Sequence, residues 1–165
     1  MLDTTAAWLA ALIDGEGSVM LNKRTFSGNS AATTGRGRTI QYRPVVVIAS
    51  NTDYRLHEAI RERIGVGQIY EHKRHAEPDN MRRRRIWTYR LNVAQIEAIM
   101  PHVRPWLVIK GEQADLLAEA MQIKRSITPG EAGFLPANRP PLIARLDAIY
   151  DEIRTINTRG REKVA

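Results

Sequence analysis

The chain has 165 residues, a formal net charge of +7 and no cysteine. This length suits one compact domain or two very small ones, and the lack of thiols excludes disulfides, zinc-thiolate sites and cysteine nucleophiles. No apolar run approaches the ~20 residues that cross a bilayer, and Asp3 stands where a signal peptide carries basic residues. We therefore expect a soluble, intracellular protein of the cytoplasm, nucleoid or an organelle, without a membrane partner.

The first predicted element is a helix over the Ala- and Leu-rich stretch that begins after Thr4 or Thr5, either of which is a suitable N-cap. The stretch ends at two glycines, Gly15 and Gly17, which flank Glu16. A carboxylate at a helix C-terminus faces the negative end of the helix dipole and is disfavoured unless a cation is present. Glu16 is therefore a candidate metal ligand. The alternative is an ordinary core helix closed by a glycine, with a solvated acid.

Small residues recur along one stripe of this helix. Ala7, Ala11 and Asp14 are spaced at i, i+4 and i+7, and Trp8 adjoins them. Such a stripe permits close approach by a second helix, although simple core packing would require the same residues.

The later elements are predicted in chain order from hydrophobic periodicity and from glycine, proline and capping residues. The first hairpin has a strand from Ser18 to Phe26, a polar loop from Ser27 to Gly37 and a strand from about Arg38 to Ala49. A helix from about Tyr54 to Ile64, capped by Asn51-Thr52-Asp53, leads to a second hairpin with strands from Gln68 to Arg74 and from Arg83 to Val93. The rest of the chain is predicted to form a short helix from Val93 to Met100 broken by Pro101 and Pro105, a helix from about Lys110 to Ile123, a connector from Thr128 to Pro141, a helix from Leu142 to Ile156 and a frayed end from Arg159 to Ala165.

This order predicts an α+β fold with an αββαββα core, a four-stranded antiparallel sheet and extra C-terminal helices. We expect one domain over residues 1–165, with a core of about 4–125 and a helical extension of about 139–157.

The positive charge is concentrated in one region of the sequence. Between Ser18 and Asn92 there are 15 Lys and Arg against 6 Asp and Glu, a local charge of +9, whereas the rest of the chain has 10 against 12. Segregated positive charge favours a polyanionic partner, because neutralised phosphates release condensed counterions. Zinc is not expected, since His72 and His75 fall on opposite faces of a strand and no cysteine completes a ligand set.

The stretch from Leu9 to Gly17 resembles the nine-residue LAGLIDADG signature of a family of homing endonucleases, and six of the nine positions are identical. Ala11, Gly15 and Glu16 replace the first Gly, the second Ala and the last acid of the signature. Two further stretches, Ile64-Gly65-Val66-Gly67 and Pro105 to Lys110 followed by Gln113-Ala114, resemble the homodimeric chloroplast-type members. The resemblance covers about Ala7 to Ile123.

The resemblance implies an intron-encoded homing endonuclease that makes a metal-dependent double-strand break in a long, partly palindromic DNA site. A single motif implies a homodimer through the motif helices, with Ala7, Trp8, Ala11 and Asp14 at the interface. It implies no small-molecule cofactor. The divalent ion is expected to be Mg²⁺, with Mn²⁺ as a substitute and Ca²⁺ binding without cleavage. The alternatives are a non-cleaving RNA maturase or DNA-binding regulator of the same fold, and a basic nucleic-acid-binding module outside the family.

The resemblance also assigns residues to roles. Glu16 and the Gly15 carbonyl are the expected metal ligands, and Lys110 is expected near the scissile phosphate. Asn51 corresponds to a water-orienting position, and Arg55 is a weaker candidate for the accompanying basic residue. Asp14 is expected to be structural.

The sheet is expected to form a DNA-binding saddle, with DNA ligands drawn from polar and basic residues of the two hairpins. These residues are a pool rather than an assignment, because a shift of one residue in strand register moves a side chain to the other face of the sheet. The pool is Lys23, Arg24, Arg36, Arg38, Gln41, Arg43, Lys73, Arg74, Arg82, Arg83, Arg85 and Arg90.

Overall fold

The structure is a computed structural model that describes residues 1–26, 39–72, 85–126 and 140–159. The chain forms two compact units, each described by itself below. The first comprises Met1–Val19 and Val45–Gly111, and the second comprises Met20–Pro44 and Glu112–Ala165. Among the helices so described, none is long and apolar enough to cross a bilayer.

The described ranges contain five α-helices, one 3₁₀ turn and four strands. They are α1 Asp3–Glu16, β1 Ser18–Phe26, β2 Thr39–Asn51, α2 Tyr54–Ile64, β3 Gln68–Glu71, β4 Trp87–Leu91, α3 Val93–Val103, the 3₁₀ turn Arg104–Trp106, α4 Gly111–Arg125 and α5 Pro140–Arg159. The strands form one sheet in the order β1-β2-β4-β3, and β4 is antiparallel to both neighbours. The predicted α+β fold with a four-stranded antiparallel sheet is confirmed.

In the first unit, α1 contacts α3 and the 3₁₀ turn, and α2 contacts β4. Apolar side chains of these elements make the core and are almost completely buried: Leu9, Ala10, Ile13, Val46, Ile48, Ala49, Ile60, Tyr89, Ile96 and Val103. Burial of this apolar area, at roughly 25 cal/mol per Å², holds α1 and the end of β2 in place. The candidate site described below lies at the C-terminal end of α1.

Helix α2 has the bounds that the sequence predicts, because both of its ends are set locally. The Asp53 side chain accepts a hydrogen bond from the Arg55 backbone N–H at 3.0 Å, which satisfies an otherwise unpaired donor at the helix start. At the other end Gly65 adopts φ 68°, a left-handed conformation that only glycine adopts without cost.

Several local predictions are wrong. Helix α1 begins at Asp3, with Leu2 at the N-cap position and without a side-chain cap, so neither Thr4 nor Thr5 caps it. Helix α3 continues through Pro101 to Val103, because the buried side chains Met100 and Val103 keep this last turn on the core.

The predicted strands of the second hairpin are too long. β3 ends at Glu71 rather than Arg74, and β4 runs from Trp87 to Leu91 rather than from Arg83 to Val93. Asn92 begins α3 with a capping box, in which its side chain accepts from the Gln95 backbone at 2.9 Å and the Gln95 side chain accepts from the Asn92 backbone at 3.0 Å.

The second unit contains most of β1, the first half of β2, nearly all of α4, and α5. Its buried apolar residues include Leu21, Tyr42, Leu117, Met121, Leu146, Ile149 and Ile153. Asp147 of α5 accepts hydrogen bonds from Lys23 and from the Tyr42 hydroxyl, and Lys124 donates to the Tyr42 carbonyl at 2.6 Å. The predicted helix from Leu142 to Ile156 is confirmed and is longer at both ends, so that Pro140 and Pro141 form its first turn rather than the end of a connector.

Several predictions lie outside the described residues. These are the polar loop from Ser27 to Gly37, the connector from Thr128 to Arg139, the end of the chain after Arg159, His75, and the basic residues Arg36, Arg38, Lys73, Arg74, Arg82 and Arg83.

Candidate active site

Glu16 is the last residue of α1 and is exposed. The next residue, Gly17, sits where no side chain fits. A Cβ there would lie 2.4 Å from the Val47 carbonyl oxygen, and 2.7 Å from both the Ile48 oxygen and the Ile13 Cα. All three are backbone atoms, so Gly17 lets the end of α1 approach β2 closely. A Cβ at Gly15, by contrast, would have no neighbouring atom within 4 Å, and the glycines therefore differ in role.

Glu16 lines an open pocket of about 280 Å³ together with Ser50, Asn51, Thr52 and Ile86. Two residues that the sequence proposes for the site, Glu16 and Asn51, are thus brought to one cavity. Asn51 ends β2, and its side-chain oxygen accepts a hydrogen bond from the Asp53 backbone N–H at 2.9 Å. Because this turn uses the Asn51 oxygen, its NH₂ group is the part able to orient a water.

Lys110 lies against the same end of α1. Its Nζ donates to the backbone oxygens of Ile13 and Asp14, both at 2.6 Å. Burial lowers the pKa of Lys110, and the nearby negative charge of Asp14 opposes that shift. The ammonium therefore stands where the partial negative charge of the helix end is greatest.

Asp14 holds the segment that carries Lys110. Its carboxylate accepts the backbone N–H groups of Val108 at 2.8 Å, Ile109 at 3.2 Å and Lys110 at 2.9 Å. Asp14 is consequently bonded within its own chain, in agreement with a structural role. Its expected place in a dimer interface stays a prediction.

A metal ion is not required to neutralise the end of α1. The sequence indicates that a carboxylate at the end of α1 requires a nearby cation, and in the structure Lys110 is a cation at that end. The case for a metal ion at Glu16 therefore rests on its exposed carboxylate and on the pocket. Hard divalent cations prefer oxygen ligands, and Mg²⁺ is typically bound through one or two carboxylates while it keeps several waters.

Glu16 fits that pattern as a single ligand. In the part of the chain that the structure describes, no cluster of three His, Cys, Asp or Glu side chains is arranged to hold a metal ion. The Gly15 carbonyl, water, a nucleic-acid phosphate and a second chain are the further sources of oxygen ligands considered for this site.

Arg55 is not among the residues that line the pocket. It is exposed and forms a two-pronged ion pair with Asp53, with Nη2 to oxygen at 2.6 Å and Nε to oxygen at 3.0 Å. The hydrogen bonds from Arg55 hold the pKa of Asp53 at about 2.

The predicted nucleic-acid ligands divide into two groups. Arg24 and Arg43 are exposed, and Gln41 is half-buried. Three other basic residues already have partners within the chain. Lys23 forms an ion pair with Asp147, Arg85 forms one with Glu71 at 3.4 Å, and the guanidinium of Arg90 lies 5.3 Å from the centre of the Tyr70 ring. Lys23 is therefore a weaker candidate than its neighbour Arg24.

The strand register reveals polar residues that the sequence analysis missed. In β3–β4 Gln68 is opposite Arg90 and Tyr70 is opposite Thr88, and in β2–β4 Ser50 is opposite Thr88. The Thr88 hydroxyl is 3.3 Å from the Ser50 hydroxyl and 2.5 Å from His72 Nε2. Directly opposed residues share a face of the sheet.

Together with the predicted Arg90, these residues form a set that we call the polar row: Ser50, Gln68, Tyr70, His72, Thr88 and Arg90. Ser50, Gln68, Tyr70 and His72 are exposed, and Ser50 also lines the Glu16 pocket. The signal available in the sequence is the spacing of Gln68, Tyr70 and His72 at every second position of a predicted strand, which places them on one face.

The residues expected at a dimer interface lie along α1. Ala11 is exposed and Ala7 is half-buried. Trp8 is half-buried, and the guanidinium carbon of Arg63 lies 4.6 Å from the centre of its ring. The interface assignment of these residues stays a prediction.

Comparison with known proteins gives no match in sequence but several matches in structure. No protein-family profile matches the sequence, and no curated protein matches it. Solved structures of homing endonucleases have a similar fold. The archaeal intron-encoded I-Vdi141I, complexed with DNA, is 16% identical with a TM-score of 0.65, over 93% of this chain and 84% of that one.

Two other structures are similar in fold. I-CvuI, in complex with the I-CreI target in the presence of Mg and with its DNA not cleaved, is 15% identical with a TM-score of 0.61, over 93% of this chain and 83% of that one. The LAGLIDADG enzyme I-GzeII, in complex with its DNA target, is 14% identical with a TM-score of 0.59, over 88% of this chain and 43% of that one. At these identities the similarity shows the fold.

Proposed function

We propose that this protein is a homodimeric, divalent-metal-dependent DNA endonuclease of the LAGLIDADG type, acting as one domain over residues 1–165. The observation that carries the proposal is the exposed Glu16 carboxylate, placed at the end of α1 in one pocket with Asn51. The fold supports it, because DNA-bound homing endonucleases have the same fold. The product would be a double-strand break in a long, partly palindromic site.

In this proposal Glu16 binds a divalent ion, Mg²⁺ by preference, with help from the Gly15 carbonyl. When bound, such an ion lowers the pKa of water and stabilises the charge that develops on a phosphodiester. Mn²⁺ would substitute for Mg²⁺, and Ca²⁺ would bind without supporting cleavage.

A homodimer would supply the second carboxylate that one chain lacks. Packing of two α1 helices through Ala7 and Ala11, with Trp8 and Asp14 beside them, would place two Glu16 carboxylates across a two-fold axis. Such a pair would address both strands across a minor groove that is ~6 Å wide. One carboxylate per chain is then enough for two cuts.

The other pocket residues have supporting roles in the proposal. The Asn51 NH₂ group would orient the attacking water by hydrogen bonding. Lys110 would contribute positive charge near the scissile phosphate from its position on the Ile13 and Asp14 carbonyls. Arg55 is the weakest member of the set, because Asp53 already binds it.

The sheet is the proposed DNA-binding saddle. A strand of about 10 residues at ~3.3 Å each spans ~33 Å, about one helical turn of DNA. Exposed Arg24 and Arg43 would bind phosphates, while members of the polar row such as Gln68 and Tyr70 would face the bases. Amide, hydroxyl and guanidinium groups are the side chains that read base edges in the major groove.

The second candidate function is DNA or RNA binding without cleavage by a protein of the same fold. The single acidic side chain in the described pocket, Glu16, favours this candidate if the two chains do not bring their pockets together.

The test is incubation of wild type and Glu16→Gln with a library of randomised duplexes, in Mg²⁺ and in Ca²⁺. We expect cleavage only by wild type in Mg²⁺, with recovery of one partly palindromic site that Glu16→Gln binds but leaves intact. Binding of a site without any Mg²⁺-dependent cut would favour the second candidate. Light scattering of the DNA complex that gives one chain per duplex would contradict the dimer.

A further inference from the structure

The end of α1 is neutralised by a side chain that comes from outside the helix. Helix α1 has no basic residue in its own last turn. The Nζ of Lys110 instead donates to the Ile13 and Asp14 oxygens, each at 2.6 Å. The Ile13 oxygen also accepts the Gly17 backbone N–H at 3.1 Å, so the lysine binds the turn that ends in Glu16.

The position of this lysine is fixed by the backbone around it. Asp14 binds three consecutive N–H groups, those of Val108, Ile109 and Lys110. A lysine on such an anchored segment has less conformational freedom than an ordinary surface lysine. Burial lowers its pKa, as expected of an ammonium that is partly removed from water.

The electrostatic consequence for Glu16 follows from the charges at this turn. A helix C-terminus carries about −0.5 of an elementary charge, and Glu16 adds a full negative charge. Both attract a divalent cation. The Lys110 ammonium has the opposite effect, because it cancels the charge of the helix end and repels a second cation nearby.

We propose that Lys110 is the internal counter-cation of the α1 C-terminus and keeps the affinity of Glu16 for a divalent ion low until DNA is bound. The phosphates of DNA would then supply the additional negative charge and oxygen ligands that make metal binding favourable. Metal loading would thus depend on the substrate. This inference rests on the proposed function only in taking Glu16 as the metal ligand.

The experiment measures binding of Tb³⁺ to the DNA-free full-length protein by lanthanide luminescence. We expect Lys110→Met to bind the ion about tenfold more tightly than wild type, because one positive charge near the site is removed. Lys110→Arg, which keeps the charge, should have the affinity of wild type.

Two controls assign the effect. Lys124 also donates to a backbone oxygen, that of Tyr42, at 2.6 Å, but it belongs to the second unit. Lys124→Met should leave the Tb³⁺ affinity unchanged, which separates loss of charge at α1 from loss of any buried lysine. Adding Glu16→Gln to Lys110→Met should abolish the gain in affinity.

A second measurement tests the dependence on DNA. A duplex that the protein binds should increase the Tb³⁺ affinity of wild type by a larger factor than that of Lys110→Met, because the variant already has the lower positive charge. Urea unfolding confirms that each variant is folded, and Lys110→Gln replaces Lys110→Met if the latter is not.

Equal or weaker Tb³⁺ binding by folded Lys110→Met or Lys110→Gln would overturn the inference, as would a gain that persists with Glu16→Gln. The result is distinguishable from failure of the proposed function. A tighter-binding Lys110→Met in a protein that cuts no DNA would contradict only the endonuclease, and a cutting enzyme without the tighter binding would contradict only the counter-cation.

Discussion

Lys110 donates two hydrogen bonds to Asp14, one from its side chain and one from its backbone. The Lys110 side chain donates to the Asp14 backbone oxygen at 2.6 Å, and the Asp14 carboxylate accepts the Lys110 backbone N–H at 2.9 Å. The two residues join the end of the motif helix to the segment that precedes α4. Glu16 is two residues beyond this junction, so the junction positions the proposed metal ligand.

Replacement of Asp14 by Asn should destabilise the fold. The amide has one acceptor oxygen in place of two and carries no charge, so at least one of the three N–H groups at Val108, Ile109 and Lys110 loses its partner. We expect a loss of roughly 2 kcal/mol in the free energy of unfolding, measured by urea denaturation. Asp3→Asn, in the exposed first turn of the same helix, is the matched control and should cost only a few tenths of a kcal/mol.

The two glycines that flank Glu16 should respond in opposite ways to alanine. Gly17→Ala places a Cβ against three backbone atoms and should cost at least ~2 kcal/mol. Gly15→Ala meets open space within a helix and should stabilise the protein by ~0.5–1 kcal/mol. Thermal unfolding of both variants checks this pair, and a destabilised Gly15→Ala would contradict the open space around Gly15.

Asp147 should make the stability of the protein depend on acid pH. Burial raises its pKa, but hydrogen bonds from Lys23 and Tyr42 outweigh burial and lower the pKa overall. A carboxyl whose folded pKa is lowered contributes stability above its unfolded pKa, near 3.9, and loses that contribution as pH falls through the folded pKa.

The matching variant is Asp147→Asn. Relative to wild type it should lose roughly 1 kcal/mol at pH 7, after allowance for solvent screening of a partly exposed pair, and the difference should shrink below about pH 4. Asp151→Asn, exposed on the same helix, is the control. A difference in the free energy of unfolding between wild type and Asp147→Asn that stays constant down to about pH 2 would refute the assignment.

Neighbouring basic residues of β1 should differ in their effect on DNA binding, given the proposed function. Arg24 is exposed, and Arg24→Ala should reduce the slope of log K against log salt by about 1, the signature of one lost phosphate contact. Lys23 is paired with Asp147, and Lys23→Ala should lower the stability while leaving that slope nearly unchanged. Fluorescence anisotropy over a salt series measures both, and equal slopes for the two variants would contradict the distinction.

The sequence predicts the elements whose ends are set by local chemistry. Strand β1 has its predicted bounds. Helix α2 has them too, because Asp53 and Gly65 define its ends without help from distant residues. Pro101 shows the limit of local rules, since burial of the surrounding turn overrides its helix-breaking tendency. The Asn92 capping box is visible in the sequence as Asn-x-x-Gln, and this local signal agrees with the predicted start of α3 at Val93 and indicates that β4 ends before Asn92.

The candidate site was only partly predictable. The signature and its glycines indicate Glu16, and the resemblance indicates Lys110. The hydrogen bonds between Lys110 and α1 join residues that are far apart in the chain, so no periodic pattern in the sequence predicts them. The polar row depends on strand register, and the shift between Val47 and Ala49 changes which side chains of β2 share a face with β4.

The central claim is that Glu16 is the acid on which phosphodiester cleavage depends. Its most direct test is single-turnover cleavage of the duplex recovered from the library, in Mg²⁺, by wild type, Glu16→Gln and the matched exposed variant Glu62→Gln. We predict cleavage of both strands by wild type and Glu62→Gln at similar rates, and a loss of at least ~10³-fold for Glu16→Gln, with DNA affinity retained. Cleavage by Glu16→Gln at the wild-type rate would contradict the account.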